Sequence, residues 1–165
     1  MGLGKTIQVL ALIAAAKRTS RKHAPTEAKT LIVAPAALLD QWHGEIERRA
    51  DGLTAYKWWG PARKRRGAIR RHDIILASYE EVSRLSPTKG APSALHEFKW
   101  DRVFLDEGHK IANITTKRAI GCIALRATHR WILSGTPIQN TIDDAYSLFR
   151  FIEAPFWRDL SFFQD

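Results

Sequence analysis

The run Val103-Phe104-Leu105-Asp106-Glu107-Gly108-His109 decides how the 165-residue chain is read. Three apolar residues in a row, introduced by Trp100 and Asp101, predict a short strand buried on both faces, as in a parallel sheet. Two carboxylates stand where that strand should stop. In open α/β sheets ligands lie beyond the carboxyl ends of the strands. Asp106 and Glu107 are therefore expected to project into a crevice that takes a nucleotide. What they would meet there is Gly2-Leu3-Gly4-Lys5-Thr6. In a phosphate loop the backbone N–H groups form a concave nest at a helix N-terminus, the lysine reaches the β- and γ-phosphates, and the hydroxyl residue ligands magnesium. Gly2, Gly4, Lys5 and Thr6 fit an ATP-binding role of this kind, and Thr6 with Asp106 a magnesium site.

Moving outward, Leu31-Ile32-Val33-Ala34, Asp73-Ile74-Ile75-Leu76-Ala77 and Arg130-Trp131-Ile132-Leu133 read as further buried strands. Helical spacing or capping predicts helices over 4–19, from Leu38 to Arg49, after the cap residue Ser78, over 94–98, 115–127 and 143–153. Residues 54–59 form an edge strand in which Trp58 and Trp59 are expected to pack, with base stacking as the alternative. Residues 20–29 and 86–92 are loops. Alternation of strand and helix predicts a doubly wound α/β sheet.

The totals restrict the partners. The chain is a single domain with a net charge of +9, which favours a polyanion, nucleic acid before anionic membrane. Arg63-Lys64-Arg65-Arg66 with Arg70-Arg71 is either a solvated helix face or a phosphate-contacting surface. Cys122 is the only cysteine, so an internal disulfide is excluded, and it is expected on an apolar helix face. No apolar run is long enough to cross a membrane as a helix, and no cleavable signal pattern opens the chain.

Met1-Gly-Leu-Gly-Lys-Thr6, Asp106-Glu-Gly-His109 and Leu133-Ser-Gly-Thr-Pro-Ile-Gln-Asn140 resemble the SWI/SNF-type DNA-dependent ATPases of helicase superfamily two, from Met1 to about Phe163. The resemblance implies a RecA-like phosphate-loop fold and an N-terminal ATP-binding lobe of a double-stranded DNA translocase. Its field of work would be chromatin remodelling, DNA repair or transcription, with nucleosomes among the partners and the nucleus as location. Tyr146 to Ile152 and Pro155-Phe156 point to the branch of the helicase-like transcription factor and its transcription-termination relatives. It further implies that Glu107 positions the attacking water and that Asp106 acts on magnesium through metal-bound water. His109 would couple the nucleotide site to Ser134 and Thr136, and DNA would run along Pro35 and the Ser78-Tyr79 turn. Gly108 stands where the commoner motif has alanine.

One departure is expected to matter. The full loop signature G-x-x-x-x-G-K-[ST] reaches back beyond Met1. The front of the loop and the strand feeding it are missing from the sequence as given, so the expected sheet is truncated before its first strand. The expectation is a fragment or a mis-started reading frame covering part of the first lobe, without the second lobe and its arginine finger, and with little or no ATP turnover by itself. The rivals are a non-catalytic DNA- or protein-binding remnant and a small-molecule kinase. A Cys/His metal site is disfavoured, because no second histidine or cysteine stands at ligand spacing around His109.

Overall fold

The computed structural model describes residues 4–23, 28–59, 67–85, 93–136 and 142–154. Five strands, β1 (Thr30–Ala34), β2 (Ala55–Trp58), β3 (Ile74–Ser78), β4 (Lys99–Asp106) and β5 (Arg126–Leu133), form one sheet in the order β2-β3-β1-β4-β5. Every pairing is parallel. This is the doubly wound α/β sheet expected from the alternation of elements.

Period-two alternation explains why the central strands are continuously apolar. Ile32, Ala34, Ile74, Leu76 and Phe104 face one layer, where they pack with Val9, Leu10 and Ile13 of α1 (Lys5–His23) and Leu39, Trp42 and Ile46 of α2 (Leu39–Arg49). Leu31, Val33, Ile75, Ala77, Val103 and Leu105 face the other. That layer holds Tyr79 and Val82 of α4 (Tyr79–Val82), Leu95 of α5 (Ala94–Glu97), Ala119 and Cys122 of α6 (Lys117–Ile123), and Leu148 and Phe151 of α7 (Ile142–Phe151). A strand covered on both faces has no polar side to show, so its sequence reads as an unbroken apolar run. Cys122 is buried on α6 as expected, and burial pushes its thiol well above the usual range.

Several boundaries differ from the sequence reading. α1 runs on to His23, through the start of the expected loop. The helix expected over 115–127 ends at Ile123, and Arg126 and Ala127 already belong to β5. β4 is eight residues long, because Lys99 and Trp100 pair with Arg126 and Ala127 before β1 joins the ladder at Arg102. β2 is the edge strand expected, with Trp58 in the core, but Trp59 is 64% exposed and packs nothing away. Arg70 and Arg71 close the short helix α3 (Gly67–Arg71), whereas Arg63 to Arg66 lie outside the described residues, as do the loop expected over 86–92 and Pro155-Phe156.

At the far end of the sheet β5 has a neighbour on one side only among the described strands. It is tied back through Arg130, whose guanidinium pairs with Glu153 at 3.0 Å, donates to the Leu125 carbonyl and stands over the Phe151 ring. These contacts fasten the end of α7 to the middle of the strand.

Candidate active site

Asp106 is the last residue of β4, and the ladder pairs it with Leu133, the last residue of β5. The residues that follow, Glu107 and Ser134, therefore emerge side by side at one end of the sheet. Asp106 shares the face of Phe104, the face covered by α1 and α2, so its carboxylate lies in the same layer as the helix that begins at Lys5. Simple alternation would send Glu107 to the opposite face. It does not go there, because Glu107 is left-handed, with φ 52. For a residue with a Cβ this conformation is uncommon and costs on the order of 1 kcal/mol, and such strain collects at functional sites. Here it turns the second carboxylate toward the first turn of α1, where Lys5 Nζ stands 3.8 Å from Glu107 Oε1.

Gly4 opens that turn with φ 69, a conformation that suits glycine, and its carbonyl accepts the Gln8 N–H at 3.0 Å. Thr6 follows, half-buried, on the same turn. Gly2 lies outside the described residues.

Asp106 is only 8% exposed, yet both its oxygens are held by neutral donors. Trp42 donates its indole N–H to Oδ2 at 2.8 Å, and the Glu107 N–H donates to Oδ1 at 3.0 Å. Tyr79 donates its hydroxyl to the Asp106 carbonyl at 2.8 Å. Residue type and spacing mark Trp42 for nothing beyond a place on the apolar face of a helix.

His109 lies in the 3-10 turn Gly108–Ile111 that follows. Its Nδ1 is 3.4 Å from Glu107 Oε2 and 3.4 Å from Ser134 Oγ. Ser134 Oγ already accepts the Thr136 N–H at 3.1 Å, which leaves the hydroxyl proton free to point at the imidazole. The tautomer then chooses the partner: an Nδ1 bearing a proton donates to Glu107, and a bare Nδ1 accepts from Ser134. Gly108 has a local reason to lack a side chain. A Cβ there would come within 2.4 Å of Ile132 Cγ2 on β5, so the alanine of the commoner motif would press on a branched, half-buried neighbour.

The expected DNA-facing residues divide. Pro35 is half-buried at the turn between β1 and the 3-10 turn Ala36–Leu38, beside exposed Ala36 and Ala37. Ser78 and Tyr79 are both buried. The Ser78 hydroxyl caps α4 by accepting the Glu81 N–H, and Tyr79 is 1% exposed. Their side chains are committed inward, so whatever this turn offers to a ligand comes from its backbone and from exposed neighbours such as Glu80, which pairs with Arg118. Gln139 and Asn140 lie outside the described residues. Among the described residues no group of three or more His, Cys, Asp or Glu side chains could hold a metal ion, and no helix is long and apolar enough to cross a membrane.

The family model for the SNF2-related domain matches residues 1–165. The chain belongs to that family. It is 35% identical to the DNA repair protein rad8 of Schizosaccharomyces pombe, with 99% of this chain and 16% of that protein aligned. To the helicase-like transcription factor of Oryctolagus cuniculus it is 36% identical over 90% of this chain and 15% of the other. Among solved structures the SWI2/SNF2 ATPase core of Sulfolobus solfataricus, determined in complex with double-stranded DNA, superposes with a TM-score of 0.83 at 29% identity. That match covers 99% of this chain and 32% of the archaeal one. The chain thus spans less than a fifth of these two curated relatives, and its fold is that of the RecA-like lobe of an SNF2 ATPase core.

Proposed function

We propose that the crevice at the carboxyl ends of β4 and β5 binds ATP with magnesium, as the first motor lobe of an ATP-dependent double-stranded DNA translocase. The observation that carries the reading is that the left-handed turn at Glu107 brings it to Lys5 on the face that also holds Asp106. Lys5 and Glu107 are each about one-third exposed, with side chains 35% and 30% accessible. A pair so exposed holds together by no more than about 1 kcal/mol. A triphosphate with several negative charges would draw the lysine away and leave Glu107 free.

The residues present suit magnesium. It prefers one or two oxygen ligands from protein, keeps several waters, and takes the rest from substrate phosphates. Thr6 would supply a direct ligand, and Asp106 would hold the cation through one of its bound waters. Bound there, the cation would neutralise charge on the phosphates. Glu107 would orient water for in-line attack, and His109 would relay the state of that carboxylate to Ser134 and Thr136. The Pro35 turn, with its small neighbours Ala36 and Ala37, and the backbone at Ser78-Tyr79 would lie along the DNA phosphates, since tracking a duplex needs backbone contacts rather than base readout. DNA-repair relatives make a nuclear protein acting on chromatin the coherent setting, with nucleosomes as one substrate.

Titration of the chain with magnesium and ATP tests this directly. Binding is expected to vanish in Lys5→Ala. In the whole protein, duplex DNA is expected to stimulate hydrolysis, and Glu107→Gln to lower turnover by about a hundredfold to ten-thousandfold while ATP still binds. A chain that binds no nucleotide but binds DNA in a salt-sensitive way would be a non-catalytic remnant, the reading favoured by the +9 charge alone.

A further inference from the structure

Asp106 is held from both faces of the sheet. Its carboxylate lies in the α1–α2 layer and takes the Trp42 N–H from α2, whereas its carbonyl takes the hydroxyl of Tyr79 from the opposite layer. The two donors stand 64 and 27 residues away in the chain. Trp42 lies on the helix beyond the Pro35 turn, and Tyr79 belongs to the second turn expected to face DNA.

We propose that Trp42 and Tyr79 are positioning residues that fix Asp106 in one orientation for a metal-bound water. The inference rests on the nucleotide-binding reading above and deepens it. Three features support it. The two donors on the carboxylate, the Trp42 indole and the Glu107 amide, leave no freedom to turn about the Cβ–Cγ bond without breaking a buried hydrogen bond. Both are neutral, so they orient the carboxylate without cancelling its charge. Among the described residues no lysine, arginine or histidine pairs with it within 4.0 Å. A buried carboxylate dressed only with neutral donors remains a strong attractor for a cation, whereas an arginine at position 42 would have satisfied it.

The third feature is the peptide that joins Asp106 to Glu107. Its carbonyl is fixed by Tyr79 and its N–H by the Asp106 carboxylate, so this unit is held at both ends just before the left-handed residue. Tyr79 thereby sustains the turn that aims Glu107, and Trp42 sustains the carboxylate that would hold a water of the metal. Neither is a catalytic residue, because neither touches substrate or metal.

The test uses the full 165-residue chain, magnesium and the non-hydrolysed analogue adenylyl imidodiphosphate. In the wild-type chain labelled with ¹⁵N, addition of magnesium to the nucleotide-bound state is expected to move the Trp42 indole N–H resonance more than the other five indoles. Trp42→Phe is expected to raise the magnesium midpoint about tenfold to a hundredfold, the cost usual for loss of a ligand-orienting partner. Tyr79→Phe, which removes one oxygen and keeps the ring, is expected to raise it about fivefold. Nucleotide affinity measured without magnesium should stay unchanged in both. If the wild type binds through Lys5 but the variants keep its magnesium midpoint, the positioning role is wrong and the nucleotide site stands. Equal weakening with and without magnesium also overturns it, since that marks a general loss of packing. If the wild type binds no nucleotide at all, both readings fall. The indole resonance needs no substitution, so a variant that does not fold leaves the question answerable: an unmoved Trp42 signal on magnesium binding refutes the proposal.

Discussion

β4 and β5 are neighbours of equal length, paired in parallel from Lys99↔Arg126 to Asp106↔Leu133, and both end at the candidate site. They are built on different terms. β4 buries Trp100, Val103, Phe104 and Leu105 completely or nearly so, whereas β5 has no buried residue and leaves Trp131 43% exposed. Among the described strands β4 has a neighbour on each side and β5 on one, whereas strand preference does not separate them, since Thr128, Trp131 and Ile132 are as well suited to a strand as anything in β4. Among the described residues, Asp106 and Glu107 follow a strand with a buried core and Ser134 follows a more exposed one, and local opening costs less where fewer apolar contacts are buried.

The contrast is sharpened most by Leu105→Ala, which should cost about 2 to 5 kcal/mol in urea unfolding, the range for truncation of a fully buried leucine. An Ile132→Ala loss of the same size would erase the distinction between the strands, because Ile132 is only partly buried. Next comes Gly108→Ala, where the turn after β4 meets β5. The added methyl should destabilise by about 1 to 3 kcal/mol through its clash with Ile132, and in the background of Ile132→Ala, which removes Cγ2, the same substitution should cost less.

A smaller effect concerns the lead-ins to the two strands. His96 on α5, ahead of β4, is bonded through Nε2 to the Gly121 carbonyl on α6, ahead of β5. Burial lowers its imidazole below the ordinary value, and the bond to Gly121 only partly opposes this. Protonation therefore favours the unfolded chain. Stability from this group is full above about pH 6.5 and is lost as the pH falls, with a slope of at most about 1.4 kcal/mol per pH unit. Urea midpoints between pH 7.5 and 5 should show that slope in the wild type and a flatter one in His96→Gln. Smallest of all, Trp131→Ala should cost about 1 kcal/mol or less, mainly its stacking on Phe104 at 5.9 Å. A loss as large as that of Leu105→Ala would show that β5 is covered in solution.

The same contrast explains what the sequence could and could not reveal. β1, β3 and the core of β4 are legible as apolar runs because both of their faces are buried. Ser78 is legible as a cap because a hydroxyl before a helix has few other uses. The beginning of β5 is not legible. Arg126, Thr128 and His129 are exposed and Arg130 is only half-buried, so nothing in their polarity separates them from the end of a helix. Lys5, Asp106 and Glu107 could be chosen from their motifs, but the left-handed turn that unites them leaves no mark on residue type. Trp42 and the Tyr79 hydroxyl were beyond reach for another reason. Their partner is a single atom far away in sequence, and from composition alone an indole on an apolar helix face is simply a large hydrophobe.

Gly121 adds a mechanical consequence. A Cβ at this position would lie 2.5 Å from the Val82 carbonyl oxygen and 3.0 Å from the Ser83 Cα, so α6 and the end of α4 meet main chain to main chain. Side chains between helices act as springs, since they can change rotamer and absorb a shift. Bare backbone has no such slack. A push on the Ser78-Tyr79 turn is met by a hard stop, and α6 must travel with it.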